Sequence, residues 1–363
     1  MSEDERREGR AGRRKQKTPK KKKSMVLRVL TVMLGVLVVS FVGIVIYTSS
    51  MVSAMQYDPN AQADVSAEPE DETADPNLPD IDEGEIDTSL PSGTATPISQ
   101  GKDTFNIMLF GLDTRDPKRF NGARSDVMML LSVDTKKKTI KLTSFMRDIL
   151  IDKGSKGKNR LNTAILDGPD YALEALKSNF GVQTDKYAII NFWALSDVID
   201  ALGGVDINIK SAEISNMNKS IKEINSLASG GKAAALVKSA GEQHLNGRQA
   251  VAYMRIRKVG NGDFERTQRQ RTVLNRLIAQ MSDLSLDEAI KLANVLPKYV
   301  RTNMSQADIL AMATKLYGVR GADVQELRIP LDKTYKNGNY KGMSILLIDF
   351  DKNRKALEDF LTK

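Results

Sequence analysis

Phe105-Asn-Ile-Met-Leu-Phe110-Gly-Leu-Asp113-Thr-Arg115 is a short apolar run that reaches a glycine and gives way at once to charge. A run of this length bounded by Gly reads as a buried strand. Its polar residues arrive where the strand ends, the edge at which open α/β sheets bind ligands. Working outward, similar runs fall at Val127–Val133, Thr139–Phe145, Tyr187–Phe192, Val205–Ile209 and Ile345–Phe350. Helical patterns lie between them: Asp170–Phe180 closes at Gly181, and Ala194–Leu202 closes at Gly203-Gly204. Ser285-x-x-Glu288 and Ser305-x-x-Asp308 have capping-box spacing and open helices that end before Pro297 and at Gly318. Strands alternating with helices predict an α/β fold, a mixed central sheet covered by helices on both faces in three α-β-α layers. The polar, Gly/Ser-punctuated stretch 210–240 receives no element, and no internal repeat is visible.

The charge is distributed as three objects in series. Residues 1–28 carry twelve Lys/Arg against four Asp/Glu; residues 49–100 carry twelve Asp/Glu and no Lys/Arg; residues 101–363 carry forty-two basic and thirty acidic residues. Between the first two, the 19 residues Val29–Tyr47 are uncharged and almost wholly apolar, long enough to span a bilayer. The flanking Lys/Arg run orients such a span with the N-terminus in the cytoplasm and everything after Tyr47 exported. A cleaved signal peptide is the competing reading, since Val52-Ser53-Ala54 offers small residues, but a signal core is usually shorter than this one. The expected organisation is a basic cytoplasmic tail (1–28), a transmembrane helix (29–47), an acidic linker (48–100) and an extracellular domain (101–363). The linker composition predicts disorder, because so few apolar residues cannot offset the entropy of ordering.

The chain has no Cys and one His, His244, which excludes thiol chemistry and a multi-histidine metal cage. Any metal must be a hard cation on oxygen ligands. Asp113 and Asp126 stand at the two ends of one loop, where they suit Mg²⁺ or Mn²⁺ alongside phosphate oxygens, or serve as ordinary turn residues. Ser144-Phe-Met-Arg147-Asp148 ends another strand, and alone it reads as a salt bridge. In Val251-Ala-Tyr253-Met-Arg255-Ile-Arg257, strand alternation would place Tyr253, Arg255 and Arg257 on one face, a spacing suited to a diphosphate. Asp263 can then cap a helix carrying Arg266, Arg269 and Gln270 on one side, with Val273, Leu274, Leu277, Ile278 and Met281 as its buried stripe. One basic run is commonly a solvated face; two in succession favour anion binding. The charge also suits nucleic acid, but aromatic stacking platforms are sparse and the domain faces outward, so no nucleic-acid partner is expected. His244 in Gly241-Glu-Gln-His244-Leu-Asn-Gly247 has no nucleophile elbow nearby, which makes a Ser-His-Asp triad a poor fit.

Together these motifs resemble the LytR-CpsA-Psr family of cell-wall phosphotransferases across most of residues 105–330. The matching stretches are Asn106–Arg115, Arg124-Ser-Asp126, Met146-Arg147-Asp148, Leu161-Asn162, Ala201–Asp206, His244–Gly247, Ala252–Arg257 and Gly262–Gln270. The resemblance implies transfer of a phosphoglycopolymer (wall teichoic acid-like, capsular or another secondary wall polymer) from a polyprenyl-pyrophosphate carrier to a peptidoglycan hydroxyl, releasing polyprenyl phosphate. It implies Asp113 and Asp126 as metal ligands for Mg²⁺ or Mn²⁺. It implies Arg124, Arg147, Arg255, Arg257, Arg266 and Gln270 at the pyrophosphate, to which Arg115 and Arg269 are added from the same motifs. Asp113, Arg124, Asp126, Arg147 and Arg255 are the expected catalytic set, with Asp113 the candidate for taking the acceptor proton. The basic tail, single span and outward domain resemble that family too, in a Gram-positive-type envelope. Arg160 stands where many relatives have Lys. Two other functions compete: a membrane-tethered transcriptional regulator or attenuator, which would need its domain in the cytoplasm, and a polyprenyl-pyrophosphate hydrolase that uses water as acceptor.

Overall fold

The computed structural model describes residues 56–57, 74–91, 93–112, 114, 122–228, 233–257, 259–260, 263–282, 300–319, 322 and 324–363. The first elements are β1 (Gln56–Tyr57), α1 (Glu83–Ser89), β2 (Thr104–Leu112), β3 (Ser125–Asp134), β4 (Thr139–Phe145), β5 (Leu150–Asp152), β6 (Lys158–Arg160), α2 (Pro169–Phe180) and β7 (Tyr187–Asn191). Next come α3 (Phe192–Ala201), β8 (Val205–Ile209), α4 (Ser211–Leu227), β9 (Gly241–Leu245), α5 (Gly247–Met254) and α6 (Asp263–Ser282). The rest are β10 (Val300–Thr302), α7 (Gln306–Gly318), β11 (Val324–Ile329), β12 (Tyr335–Tyr340), β13 (Met343–Ile348) and α8 (Phe350–Thr362).

Seven strands form one mixed sheet in the order β1-β10-β7-β2-β3-β4-β11. β2, β3 and β4 run antiparallel in succession, while β7 joins β2 and β11 joins β4 in parallel. Side-chain alternation divides the apolar residues between two faces. Met108, Phe110 and Leu112 of β2 point with Met128 and Leu130 of β3 into a core closed by α2 and α8. There Phe145 meets Phe180 at 5.1 Å and Phe180 meets Phe350 at 5.4 Å between ring centres. Ile107, Leu131, Val133, Ile140 and Leu142 face the other way, against Leu274 of α6 and Ile309, Met312 and Leu316 of α7. The sheet is therefore mixed and helix-covered on both faces. Burying each such side chain contributes roughly 1.5–3 kcal/mol, and the two faces together hold the layers.

The helix signals resolve as physical caps. Gly181 ends α2 in the left-handed region (φ 74°), and a Cβ there would come within 2.3 Å of the Thr96 carbonyl oxygen. Ser305 and Asp308 cap α7 reciprocally: the Ser305 N–H donates to Asp308 Oδ2 (2.9 Å) and the Asp308 N–H donates to Ser305 Oγ (3.2 Å). The helix expected from Ser285, the span Val29–Tyr47 and the tail 1–28 lie outside the described residues. Among the described residues no helix is long and apolar enough to cross a membrane.

Four expectations are corrected. The linker 48–100 is not disordered throughout: from residue 74 it is folded onto the domain. Ile86, Leu90 and Ile98 enter the main core, and the Ile81 N–H donates to the Asn339 carbonyl at 2.9 Å. The acidic side chains of α1 find partners: Glu83 pairs with Lys158 at 3.2 Å and Glu85 with Lys336 at 2.7 Å. A few well-spaced apolar anchors and a basic receiving surface outweigh the poor average composition. The domain accordingly begins before residue 101. Second, β8 is not a strand of the central sheet; it pairs antiparallel with β9 beside a second core built from α3, α4, α5 and α6. Third, 211–227 of the unassigned stretch is helix α4, burying Met217, Ile221 and Ile224 on one face.

Fourth, residues 251–254 are helical rather than extended. Asn246 and Gln249 form a capping box, with the Gln249 N–H donating to Asn246 Oδ1 and the Asn246 N–H donating to Gln249 Oε1, each at 3.0 Å. α5 then buries Ala250, Val251, Ala252, Tyr253 and Met254 on all sides. An all-buried helix shows no amphipathic period, so its short apolar run is indistinguishable from a strand. Arg255 and Arg257 therefore do not share a strand face; they leave the C-terminal end of α5.

Candidate active site

The site begins with an irregularity in the sheet. β2 and β3 pair residue by residue until Gly111 meets Val127 and Leu112 meets Ser125, which leaves Asp126 over as a bulge. Such an extra residue re-aims its side chain at the sheet's edge. Gly111 is required for the approach: a Cβ there would lie 2.7 Å from Val127 Cβ. Gly111→Ala is expected to push the two strands apart and cost about 1–3 kcal/mol, read by urea unfolding.

Three guanidinium groups, one following β4 and two from the α5–α6 region, converge on the Asp126 carboxylate. Arg147 Nη1 donates to Oδ1 at 2.9 Å; Arg257 Nη2 and Arg266 Nη1 donate to Oδ2 at 2.8 and 3.3 Å. Asp126 is 8 % exposed and Arg266 1 % exposed. Burial pushes the Asp126 carboxyl up, but Arg266, then Arg147 and Arg257, outweigh it and hold the group well below the usual carboxylate range. Arg147 also has Asp148 beside it, and Arg257 is partly open to solvent, so the cluster is a basic site that solvent and ligands can reach from the Arg257 side.

Each arginine is held by its own element. Arg147 follows β4, and its carbonyl accepts from the Asn162 N–H at 3.1 Å. Its Nε lies 3.4 Å from Asp148, which also faces the buried Arg160 at 3.6 Å. Arg266 sits in the first turn of α6, and Gln270 lies one turn on with Nε2 buried and without a protein hydrogen-bond partner. Arg255 and the end of β2 border a shallow, largely apolar recess lined by Thr114, Phe192, Trp193, Ile224, Leu227, Val251 and Arg255 among others. Trp193 fastens it to the end of β2 by donating from Nε1 to the Thr114 carbonyl at 3.2 Å.

Compared with known proteins, residues 61–356 match the LytR_cpsA_psr family. The chain belongs to the LytR-CpsA-Psr family. Among its relatives is the regulatory protein MsrR of Staphylococcus aureus, 31 % identical over 263 residues that make up 70 % of this chain and 74 % of MsrR. Another is TagV of Bacillus subtilis, a polyisoprenyl-teichoic acid–peptidoglycan teichoic acid transferase, 29 % identical over 67 % of this chain and 60 % of TagV. Among solved structures, TagT bound to LIIa-WTA superposes with a TM-score of 0.57 at 23 % identity, covering 74 % of this chain and 96 % of that one. Crystalline B. subtilis TagV gives 0.53 at 27 % identity, covering 72 % and 98 %. These likenesses agree with the mixed, helix-covered sheet.

The remaining residues that the LytR-CpsA-Psr motifs singled out do not all meet at Asp126. Asp113 and Arg115 lie outside the described residues. Arg124 is partly buried just before β3. Arg255 stands at the apolar recess, 3.6 Å from Glu223 and over the Phe192 ring. Arg269 is turned into the second core, where its Nε donates to Glu213 Oε1 at 2.7 Å. Tyr253 is also buried there, and burial, then Glu213, push its hydroxyl up to about 12, so it takes no proton at neutral pH. His244 places Nδ1 2.7 Å from Asp206 and Nε2 2.7 Å from the Gly203 carbonyl. Those two acceptors, Asp206 first, raise its pKa and occupy both ring nitrogens, which leaves no position for a catalytic base. Sequence reasoning missed Glu213, because the stretch around it showed no assigned element. Its signal was the i, i+4, i+8, i+11 spacing of Glu213, Met217, Ile221 and Ile224 along one helix face.

Proposed function

We propose that the chain transfers a phosphoglycopolymer from a polyprenyl-pyrophosphate carrier to a peptidoglycan hydroxyl, releasing polyprenyl phosphate. The observation that carries the reading is the convergence of Arg147, Arg257 and Arg266 on one buried carboxylate. Guanidinium forks bind phosphate oxygens bidentately, and several converging at one place suit a diphosphate. TagV, by its name, performs a reaction of this kind on teichoic acid, which supports the class; which polymer this chain moves is not carried by that likeness.

In this reading Arg147, Arg257, Arg266 and the buried Gln270 amide bind the diphosphate and offset the charge that builds on the leaving phosphate. Asp126 keeps the three forks aligned before substrate arrives. For a divalent cation, no group of three His, Asp or Glu side chains occurs among the described residues. Asp126 nevertheless fits one: it is ionised, and Oδ1 accepts a single hydrogen bond. Mg²⁺ commonly takes only one or two carboxylates and completes its shell with phosphate oxygens and water. Asp126, with Asp113 as the second carboxylate, would hold Mg²⁺ or Mn²⁺. Such an ion would supply Lewis-acid neutralisation of the phosphate oxygens. Asp113 is proposed to take the acceptor proton. The proposed setting is a single-pass membrane anchor at Val29–Tyr47, with residues 1–28 in the cytoplasm and the domain outside.

The test is incubation of the purified full-length chain with labelled lipid-linked glycan, Mg²⁺ and peptidoglycan. Label in the wall fraction is expected. Release of soluble phosphoglycan alone would identify a hydrolase. Absence of both products, with the domain protected from protease in intact protoplasts, would favour the regulatory reading that the name of MsrR suggests.

A further inference from the structure

Arg269 lies on the same stretch of α6 as Arg266, yet its environment differs. It is 2 % exposed, and its partner Glu213 is 1 % exposed. Nε donates to Glu213 Oε1 at 2.7 Å, Nη1 to the Ile256 carbonyl at 3.1 Å, and Nη2 to the Val259 carbonyl at 3.2 Å and Glu265 Oε2 at 3.4 Å. Four of the five guanidinium N–H groups are thus engaged with protein. Glu213 is fixed in turn, its Oε2 accepting from the Lys210 N–H at 2.8 Å where α4 begins. The two gripped carbonyls lie on either side of Arg257 in the chain, and Arg257 reaches Asp126 at 2.8 Å.

We propose that Glu213 and Arg269 form a buried strut that sets the position of Arg257, with Arg269 a positioning residue and not a phosphate ligand. The proposal rests on the diphosphate reading of the Asp126 cluster. A guanidinium is suited to the task because one planar fork reaches a carboxylate and two carbonyls together, which an ammonium on a flexible stem cannot do. The second core, including the helix that sequence reading left unassigned, thereby bears on the charged site. Lengthening or loosening the strut frees the chain after α5, and Arg257 loses its fixed approach to Asp126.

The experiment uses the full-length chain in detergent, with Arg269→Lys, Glu213→Gln, Arg257→Ala and the Arg257→Ala/Arg269→Lys double variant. Amide hydrogen exchange at Ile256, Arg257 and Val259 is expected to accelerate about tenfold in Arg269→Lys and Glu213→Gln, with the amides of β2 and β3 unchanged. Farnesyl diphosphate serves as the binding probe. Its affinity is expected to fall about tenfold in Arg257→Ala, by no more than that in Arg269→Lys, and no further in the double variant than in Arg257→Ala alone. Additive losses in the double variant would make Arg269 a direct ligand and overturn the strut. Unchanged exchange in both strut variants would overturn it as well. If Arg257→Ala leaves probe affinity intact, the diphosphate reading of Arg257 fails, and the exchange result still decides the strut.

Discussion

Replacing Asp126 with alanine is expected to lower the unfolding free energy by about 3–5 kcal/mol, the usual consequence of removing one member of a buried ion pair. The magnitude follows from what remains. Arg147 and Arg266 are buried, and with Arg257 they would face one another with the shared carboxylate gone. Asp126→Asn keeps the shape but not the charge and should fall between alanine and the native residue. The pH dependence has a definite sign. The folded carboxyl titrates below its ordinary value, so its contribution is complete above the unfolded value of about 3.9 and is withdrawn as pH falls below it. Urea unfolding between pH 7 and pH 3 should therefore show the native chain losing stability toward the acid end, with a flatter profile for Asp126→Asn. Inorganic pyrophosphate should restore part of the loss in Asp126→Ala, and raise its midpoint more than that of the native chain, because the anion then meets three cations without a competing carboxylate. A cost below 1 kcal/mol would mean the arginines are held by something other than Asp126, and no response to pyrophosphate in either protein would mean that the cluster does not bind a diphosphate.

The same arrangement explains why a carboxylate belongs in an anion site at all. Three guanidinium groups brought together without a counter-charge would repel one another and pay the full cost of leaving water. Asp126 lowers that cost for all three at once, and Asp148 adds to it beside Arg147. The bulge at Asp126 makes this possible, since a regular β3 would pair the residue across the ladder and fix its side chain on a sheet face.

How far the chain could be read in advance varied with the kind of signal. β4 and β8 fell on their expected bounds, and β2, β3 and β7 within two residues of theirs. Those runs are bounded by glycine or charge and rich in β-branched and aromatic residues, which favours a strand. The stretch 251–257 went the other way because its alternation was fortuitous. Asn246-x-x-Gln249 was the informative signal, a capping box that begins five residues ahead of the ambiguous run. Residues 74–100 were misjudged because average composition hides position. Ile86 and Ile98 lie twelve residues apart, yet both are buried against residues from the far end of the chain, among them Leu346 and Leu361. In the site, the residue types could be read from sequence, but their grouping only in part: Arg255 and Arg257 do not share a face, and Arg269 parts from Arg266. Which arginine reaches Asp126 and which turns into the second core could not, because that depends on where a helix face points after packing. Arg266 and Arg269 are three residues apart on one helix, and their partners are Asp126 and Glu213.

Arg266 is the position at which substitution is expected to affect chemistry most. It is 1 % exposed, carried on a helix rather than a loop, and it contributes the largest favourable effect on the Asp126 carboxylate. A donor held in a dry site before the reaction contributes far more than one in water, because nothing needs to reorganise as charge develops. Arg266→Met keeps most of the volume and removes the charge; transfer to peptidoglycan should fall by about 10²–10³-fold in kcat/KM. Arg266→Lys restores a point charge without the fork and should recover only part of that loss. Stability gives a second readout that does not depend on turnover. With Arg266 gone, burial weighs more heavily on Asp126, so its folded pKa rises toward the unfolded value and the acid-side loss of stability, which still begins near that value, becomes smaller in Arg266→Met. The two measurements separate two kinds of failure. An acid-side loss as large as the native chain's would mean that Arg266 does not govern Asp126; a smaller loss with full transfer activity would mean that the cluster is structural and that the diphosphate is held elsewhere.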